Sequence, residues 1–263
     1  MSGPIRGSSL FLCLFLAMGT ATVLGQDEKP GALGYGAEFD FNSRYIWRSL
    51  AWSGGAVWQP TAWLSRSGLT FSVWGNFVLA SEPNYLQFNE VDLRLSYKNE
   101  WGPLTFEPAF NIYSYPNQDK TENPTTGELE IDLSLDLGFA GLSLETAHFL
   151  DFWKNKGGYV GELGLAFEGD LTDDLVMNAA ARLVFGNAKF NAYYVPLDKG
   201  AVNAVVLELG WTYAVSAPFY IRPHFEFNGL LDGDLKAAVA ASPWVSSGKS
   251  TLVNIGVTVG VEY

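Results

Sequence analysis

Between Glu128 and Phe139 four carboxylates, Glu128, Glu130, Asp132 and Asp136, recur at even positions, with Leu129, Ile131, Leu133, Leu135, Leu137 and Phe139 at the odd ones. A period of two places the acids on one face of a β-strand and the apolar residues on the other. A column of carboxylates along a confined aqueous path concentrates cations and repels anions. Beside arginines the same column becomes a network of ion pairs, which can close a narrow passage. Arg44, Arg94, Arg182 and Arg222 are the candidate partners. Both readings are open at this point.

Other reactive residue types are sparse. The histidines are His148 and His224. His224 lies between Arg222 and Glu226 on a polar face, the position of a hydrogen-bonding group. His148 shares phase with Leu142, Leu144, Leu150 and Phe152, which directs it to the apolar face near a strand end. Lipid-acting barrel enzymes place a catalytic histidine there, but no serine stands nearby in the right phase. Cys13 is the only cysteine and lies in the amino-terminal apolar run. The rest of the chain therefore has no disulfide framework, Cys-based zinc site or thiol nucleophile. No nucleophile elbow, zincin, Walker or dinucleotide motif is present. The acids in 170–174 and in Asp232-Gly233-Asp234 lack the full spacing of a calcium loop and read as turn residues. No catalytic, cofactor or metal residue is assigned.

The elements that must position the column are strands of the same kind. Alternation with turn residues between predicts strands at 35–48, 57–65, 68–80, 86–98, 103–115, 128–139, 141–153, 158–169, 174–186, 202–214, 218–229 and 250–263. Their connections alternate short and long. Strands of about 9–12 residues, one face apolar and one polar, with aromatics near their ends, predict an all-β fold. This is a transmembrane antiparallel up-and-down β-barrel of about twelve strands, with lipid outside and water inside. An even strand number closes the sheet and leaves no raw edge in lipid. Aromatic residues make up 15% of the chain, as interfacial girdles require.

The outward face is assigned to Tyr35, Ala37, Phe39, Phe41, Ser43, Tyr45 and Trp47 on the first strand and to similar sets on the others. The candidate pore-lining residues face inward. They are Glu38, Asp40, Arg44 and Arg48 on the first strand and Glu90, Asp92 and Arg94 on the fourth. Glu130, Asp132 and Asp136 join them from the sixth, Arg182 from the ninth, and Arg222 and Glu226 from the eleventh. Pro60, Pro108 and Pro223 fall inside strands, where a missing ladder donor suggests a bulge or a frayed position. Asp234 to Ala240 has the composition of a short helix. The aromatic run Phe190-Asn191-Ala192-Tyr193-Tyr194 is expected in a long loop, either over the mouth or packed on neighbouring loops.

Residues 1–25 read as a secretory signal peptide. Arg6 precedes the apolar run Leu10 to Ala17, and Val23 and Gly25 suit a cleavage site that releases Gln26. Residues 26–263 then form a single barrel domain. A net charge of −12 leaves no basic patch for nucleic acid.

A family resemblance enters with Ser43-Arg44-Tyr45-Ile46-Trp47-Arg48, Pro60, Ser67-Gly68-Leu69, Val73-Trp74-Gly75-Asn76 and Tyr113-Ser114-Tyr115-Pro116. These resemble the TorF-like family of porin-type barrels of Proteobacteria over residues 35–116. Ser49 stands where that family usually has Gly, and Asn76 where Ser is usual. The resemblance implies an outer-membrane barrel and a porin role, with no defined substrate. The final Val253 to Tyr263 resembles the aromatic-ended signal read by outer-membrane assembly machinery.

The expected function is passive diffusion of small hydrophilic solutes or ions across a bacterial outer membrane, with mild cation selectivity. Membrane lipids and the assembly machinery are the expected partners. A non-conducting structural or adhesion barrel is the first alternative, and a lipid-modifying enzyme using His148 the second.

Overall fold

The structure is a computed structural model that describes residues 31–80, 84–243 and 245–263. The signal peptide and its cleavage near Gly25 lie outside the described residues. The chain forms a closed antiparallel barrel of 12 strands. They are β1 (Gly34–Asn42), β4 (Val57–Arg66), β5 (Leu69–Val78), β6 (Phe88–Tyr97), β8 (Leu104–Ser114) and β9 (Thr126–Asp136). The others are β10 (Leu142–Asp151), β11 (Tyr159–Thr172), β12 (Leu175–Gly186), β13 (Ala201–Ser216), β14 (Phe219–Leu230) and β15 (Thr251–Glu262). Between β1 and β4 stands a separate hairpin, β2 (Tyr45–Trp47) and β3 (Leu50–Ser53); β7 (Asn99–Trp101) continues β6 past Lys98. Helices α1 (Ala188–Tyr194) and α2 (Gly233–Ala241) lie in the loops after β12 and after β14.

Each barrel strand pairs with its sequence neighbour, and β1 pairs with β15 to close the ring. At that seam Tyr35 and Tyr263 exchange backbone hydrogen bonds of 3.0 and 2.9 Å, and their rings stack at 5.1 Å. Short turns lie at the end that carries this seam, and long loops lie at the other. Gly68 shows why one turn needs glycine: its φ is +83°, and a Cβ would stand 2.5 Å from the carbonyl oxygen of Lys98.

The alternation sorts as the two-solvent argument requires. Phe39, Phe71, Leu95, Leu129, Ile131, Leu165 and Phe225 are exposed on the outer surface, whereas Glu128, Glu130, Asp132 and Ser134 are buried inside. An apolar belt faces outward because lipid imposes no cost on it.

The three strand prolines do not make bulges. Each leaves a two-residue gap in one ladder while the register continues unchanged beyond it. The β4–β5 ladder skips Gln59 and Pro60. The β13–β14 ladder skips Arg222 and Pro223. Glu107 and Pro108 stand opposite the break between β6 and β7.

The first strand is shorter than its alternation suggests. It ends at Asn42, and the chain turns into the lumen. Tyr45 and Trp47 therefore do not face lipid, whereas Ser43 stays exposed beside Ile255 of β15. Tyr45 is buried against Trp74, and Trp47 packs on Tyr113, Phe190 and Tyr194. The β2–β3 turn holds Arg48 at φ +51° and Ser49 at φ +65°, positive at both central residues as in a type I′ hairpin turn. Glycine is the easiest occupant of such a position, so Ser49 carries local backbone strain that a glycine would relieve.

Candidate functional site

The lumen is layered. Its middle holds arginine-centred clusters contributed by facing strands. Arg94 reaches Glu107 at 2.8 Å, Glu130 at 3.0 Å and Asp132 at 3.1 Å. Arg182 pairs with Glu208 and stands 3.4 Å from Glu162. Arg222 reaches Glu38 at 3.0 Å, and Tyr220 donates a hydrogen bond to the same carboxylate. A buried charge is tolerable only when paired and hydrogen-bonded. These groupings supply that, and acids outnumber arginines within them.

Amides and hydroxyls extend the network. Asn42 donates to Asp40 and to Gln59, each at 2.8 Å; Gln59 donates to Asn76, and Asn76 to Asn89. Thr258 donates to Asp40 at 2.8 Å. His224 lies 2.9 Å from the Asn42 side-chain oxygen, in the hydrogen-bonding role expected of it.

The carboxylate column is thus paired rather than free. Glu130 and Asp132 belong to Arg94, whereas Glu128 belongs to Arg48. Asp136 lies at the turn end, where it accepts from the Gly138 backbone N–H at 2.8 Å. Glu90 and Asp92 are buried on the same wall. Glu226 accepts from Asn228. Arg44 enters no ion pair among the described residues; its backbone N–H donates to the Asn254 side chain at 3.3 Å.

Toward the loop end the inward-facing residues turn apolar. Phe149, Val160, Val184, Val206 and Leu230 of the wall pack on Leu50 of the hairpin, on Phe190 and Tyr194 of α1, and on Leu235 and Val239 of α2. Trp47 and Trp52 lie against this cluster, with Trp52 5.8 Å from Tyr194 and Trp47 5.1 Å from it. Three segments far apart in sequence therefore make one apolar plug inside the loop-end mouth. The aromatic run at 190–194 folds over the mouth as a helix.

Arg48 fixes the plug. Its guanidinium lies 4.1 Å from the Trp47 ring centroid and 4.5 Å from that of Phe149. It makes a two-pronged ion pair with Glu128, one prong at 2.7 Å. Tyr113 donates to the same carboxylate at 2.9 Å. Planar, bidentate and stacked contacts of this kind are specific to arginine. Ser49 donates to Asn228 at 2.9 Å, and Ser246 donates to the Ala51 carbonyl oxygen at 2.9 Å, tying the hairpin to β14 and to the loop after α2.

A strap joins the two helical loops. Lys199 reaches Asp232 at 2.9 Å and Asp234 at 2.8 Å. The Asp232 carboxylate also caps α2, accepting from the backbone N–H groups of Asp234 and Leu235. Hydrogen bonding from Lys199 holds Asp232 below the ordinary carboxylate range, and hydrogen bonds to Asp234 and Asp232 push Lys199 up to about 12. A depressed carboxylate stabilises the fold above its unfolded value of about 4 and loses that contribution as pH falls through its lower folded value. The raised lysine contributes below its unfolded value and loses its contribution as pH rises through about 12. Proteolytic cutting in 195–200 is therefore expected to be slow from neutral to mildly alkaline pH and to accelerate in acid. Lys199→Gln should cut quickly at neutral pH and show little further acid response; an unchanged profile would remove the strap.

His148 lies on the outward face, as its phase predicts. Its Nδ1 is 2.7 Å from the Tyr159 hydroxyl and its Nε2 3.0 Å from the Thr146 hydroxyl. Thr146 gives its own proton to the Glu162 carbonyl oxygen at 2.7 Å. The imidazole thus receives no proton from Thr146, and its partners are a tyrosine and a threonine rather than a serine.

No family model matches the chain, and no curated protein matches it. Among solved structures, the barrel is similar to the KdgM porin, with a TM-score of 0.52 and 11% identity over 85% of this chain and 97% of that one. It is also similar to the NanC porin, with a TM-score of 0.50 and 13% identity over 88% of this chain and 99% of that one. At these identities the likeness is one of fold. Of the residues on which the TorF-like resemblance rests, Tyr45 to Trp47 form the first strand of the inward hairpin and Arg48 part of its turn.

Proposed function

We propose that the chain is a porin-like channel of a bacterial outer membrane that passes small hydrophilic solutes or ions passively, and that the β2–β3 hairpin, α1 and α2 gate its loop-end mouth. The observation that supports this most is the contrast of the two faces: a closed apolar exterior around an interior belt of paired charges. A belt of this kind stays hydrated when the mouth is open and offers polar partners to a passing solute. The excess of acids over Arg94, Arg182 and Arg222 supports a mild preference for cations. Outer-membrane lipids and the assembly machinery are the partners of this reading.

The test is bilayer conductance under a salt gradient. Discrete openings with a cation-directed reversal potential are expected at low salt. The preference should fade near 1 M, where screening shortens the reach of charge to about 3 Å. Glu130→Gln with Asp132→Asn should move the reversal potential toward zero with conductance retained. Anion-directed potentials in the wild-type protein would overturn the cation preference.

The apolar plug itself favours a second reading, a non-conducting barrel with a structural or adhesive role. Absence of openings both in the wild-type protein and in a variant lacking residues 44–54 would support it and overturn the channel.

A further inference from the structure

The loop end of the barrel carries exposed lysines. Arg48, Arg94, Arg182 and Arg222 occupy the lumen, whereas Arg66 and Lys98 stand at the short-turn end and most of the other described lysines lie in the long loops. Lys154, Lys156 and Lys189 are exposed there. Among the described residues their ammonium groups enter no ion pair, unlike Lys98 and Lys199. In a chain of net charge −12, three such lysines in one corner are an uncompensated positive patch.

The corner is built rather than loose. The loop 152–158 joins β10 to β11, and α1 follows β12, the next strand round. Lys189 donates to the Lys156 carbonyl oxygen at 3.0 Å. Asn187, the cap of α1, donates to the Gly157 carbonyl oxygen at 2.8 Å and accepts from the Tyr159 N–H at 3.1 Å. Under the loop, Asp151 accepts from the N–H groups of Trp153 and Asn155 and from the Thr126 hydroxyl. Its oxygens are therefore engaged with the loop backbone and Thr126. Trp153 is 56% exposed at the same tip, where an indole suits a lipid–water boundary. Below it on the outward wall, Tyr159 and His148 join through a 2.7 Å hydrogen bond, a polar pair that suits the rim of an apolar belt.

We infer that Lys154, Lys156 and Lys189, with Trp153, bind the phosphate-bearing headgroup of a glycolipid in the membrane leaflet at the loop end. Lysine is a strongly hydrated point charge suited to phosphate at a wet surface, and three exposed lysines on two interlocked loops can engage more than one phosphate. The indole stands where the headgroup meets the acyl chains. The inference uses the membrane placement of the barrel but not its conductance, so the two can fail separately.

The test is co-purification and native mass spectrometry of the full barrel, extracted in mild detergent and titrated with phosphorylated bacterial lipopolysaccharide. Lys154→Gln/Lys156→Gln/Lys189→Gln is expected to weaken binding by roughly tenfold or more, since each lysine near an anionic membrane surface contributes substantially. A control of equal charge change, Lys120→Gln/Lys236→Gln/Lys249→Gln, should bind like the wild-type protein. Trp153→Phe should remove a fluorescence shift that the lipid induces in the wild-type protein. Enzymatically dephosphorylated lipopolysaccharide should bind both triple variants and the wild-type protein equally weakly. Heat-modifiable migration confirms that each variant is folded. Equal loss in both triple variants would show a general charge effect and overturn the site. Inorganic phosphate competing as strongly as the glycolipid would assign the lysines to a soluble anion and overturn the lipid.

Discussion

Arg48→Ala is expected to unseat the hairpin and turn rare openings of the barrel into frequent ones. Arg48 and Glu128 are both almost fully buried, with side-chain exposures of 4% and 3%. Removing the guanidinium leaves the Glu128 carboxylate with the Tyr113 hydroxyl as its remaining hydrogen-bond donor. Breaking a buried ion pair from one side costs about 3–5 kcal/mol, because the surviving charge keeps its desolvation penalty. Leu50, Ile46 and Tyr45 still hold the hairpin by apolar burial, each worth about 1.5–3 kcal/mol when fully buried. The expected result is therefore a shift in population rather than loss of the plug, a rise of at least about a hundredfold in the open fraction. Single-channel recording measures it directly. A cysteine placed at Ala51 gives an independent readout by thiol labelling, since the only native cysteine is Cys13. The double substitution Arg48→Met/Glu128→Leu should close the channel again, because an apolar pair removes both desolvated charges. Unchanged recording and labelling in Arg48→Ala would mean that the pair does not hold the plug.

The barrel was legible in the sequence because a strand between lipid and a polar lumen must alternate, and little else alternates for so long. The acidic strand is the clearest case: the face of Glu128, Glu130 and Asp132 is inside, and that of Leu129 and Ile131 is outside. The same logic overran at the first strand. Alternation shows that two faces differ, not where each face lies. Residues 43–48 alternate as β1 does, yet Tyr45 and Trp47 find aromatic partners inside the barrel instead of lipid. The turn that ends this alternation puts Ser49 at φ +65°, a conformation that glycine adopts more readily than serine, so the residue type did not mark it.

Charge type was legible at the site; pairing was not. Glu128 meets Arg48 across 80 residues of sequence, and periodicity contains no information about which strands face each other across a lumen. The plug left a fainter trace. Inward positions are charged in mid-strand, as at Glu162, Arg182 and Glu208. They become apolar toward the loop end, as at Phe149, Val160, Val184 and Leu230. A wall that changes from polar to apolar along its inner face announces something apolar to cover it.

The largest expected effect outside the lumen follows from depth along one strand. Leu163 and Leu171 both lie on β11 and are similarly exposed, at 46% and 51%, although Leu171 falls where the ladder to β12 shifts register between Asp170 and Thr172. Leu163 pairs with Thr146 at the middle of β10, with Leu183 on the other side. Leu171 lies near the turn end, eight positions further on, which is about 26 Å of strand at roughly 3.3 Å per residue. In water two leucines so similarly exposed would tolerate arginine alike. In a bilayer an arginine at the first meets hydrocarbon, whereas at the second it reaches the interface. Leu163→Arg should cost about 2–4 kcal/mol and Leu171→Arg about 0–1 kcal/mol, measured by reversible urea unfolding in lipid vesicles. Folding of the same variants in detergent micelles should narrow the gap, since a micelle deforms around a charge more easily than a bilayer. Equal costs in vesicles would mean that the apolar belt does not stand in hydrocarbon, and the barrel would then need another apolar partner to cover Leu163, Leu165 and their outward neighbours.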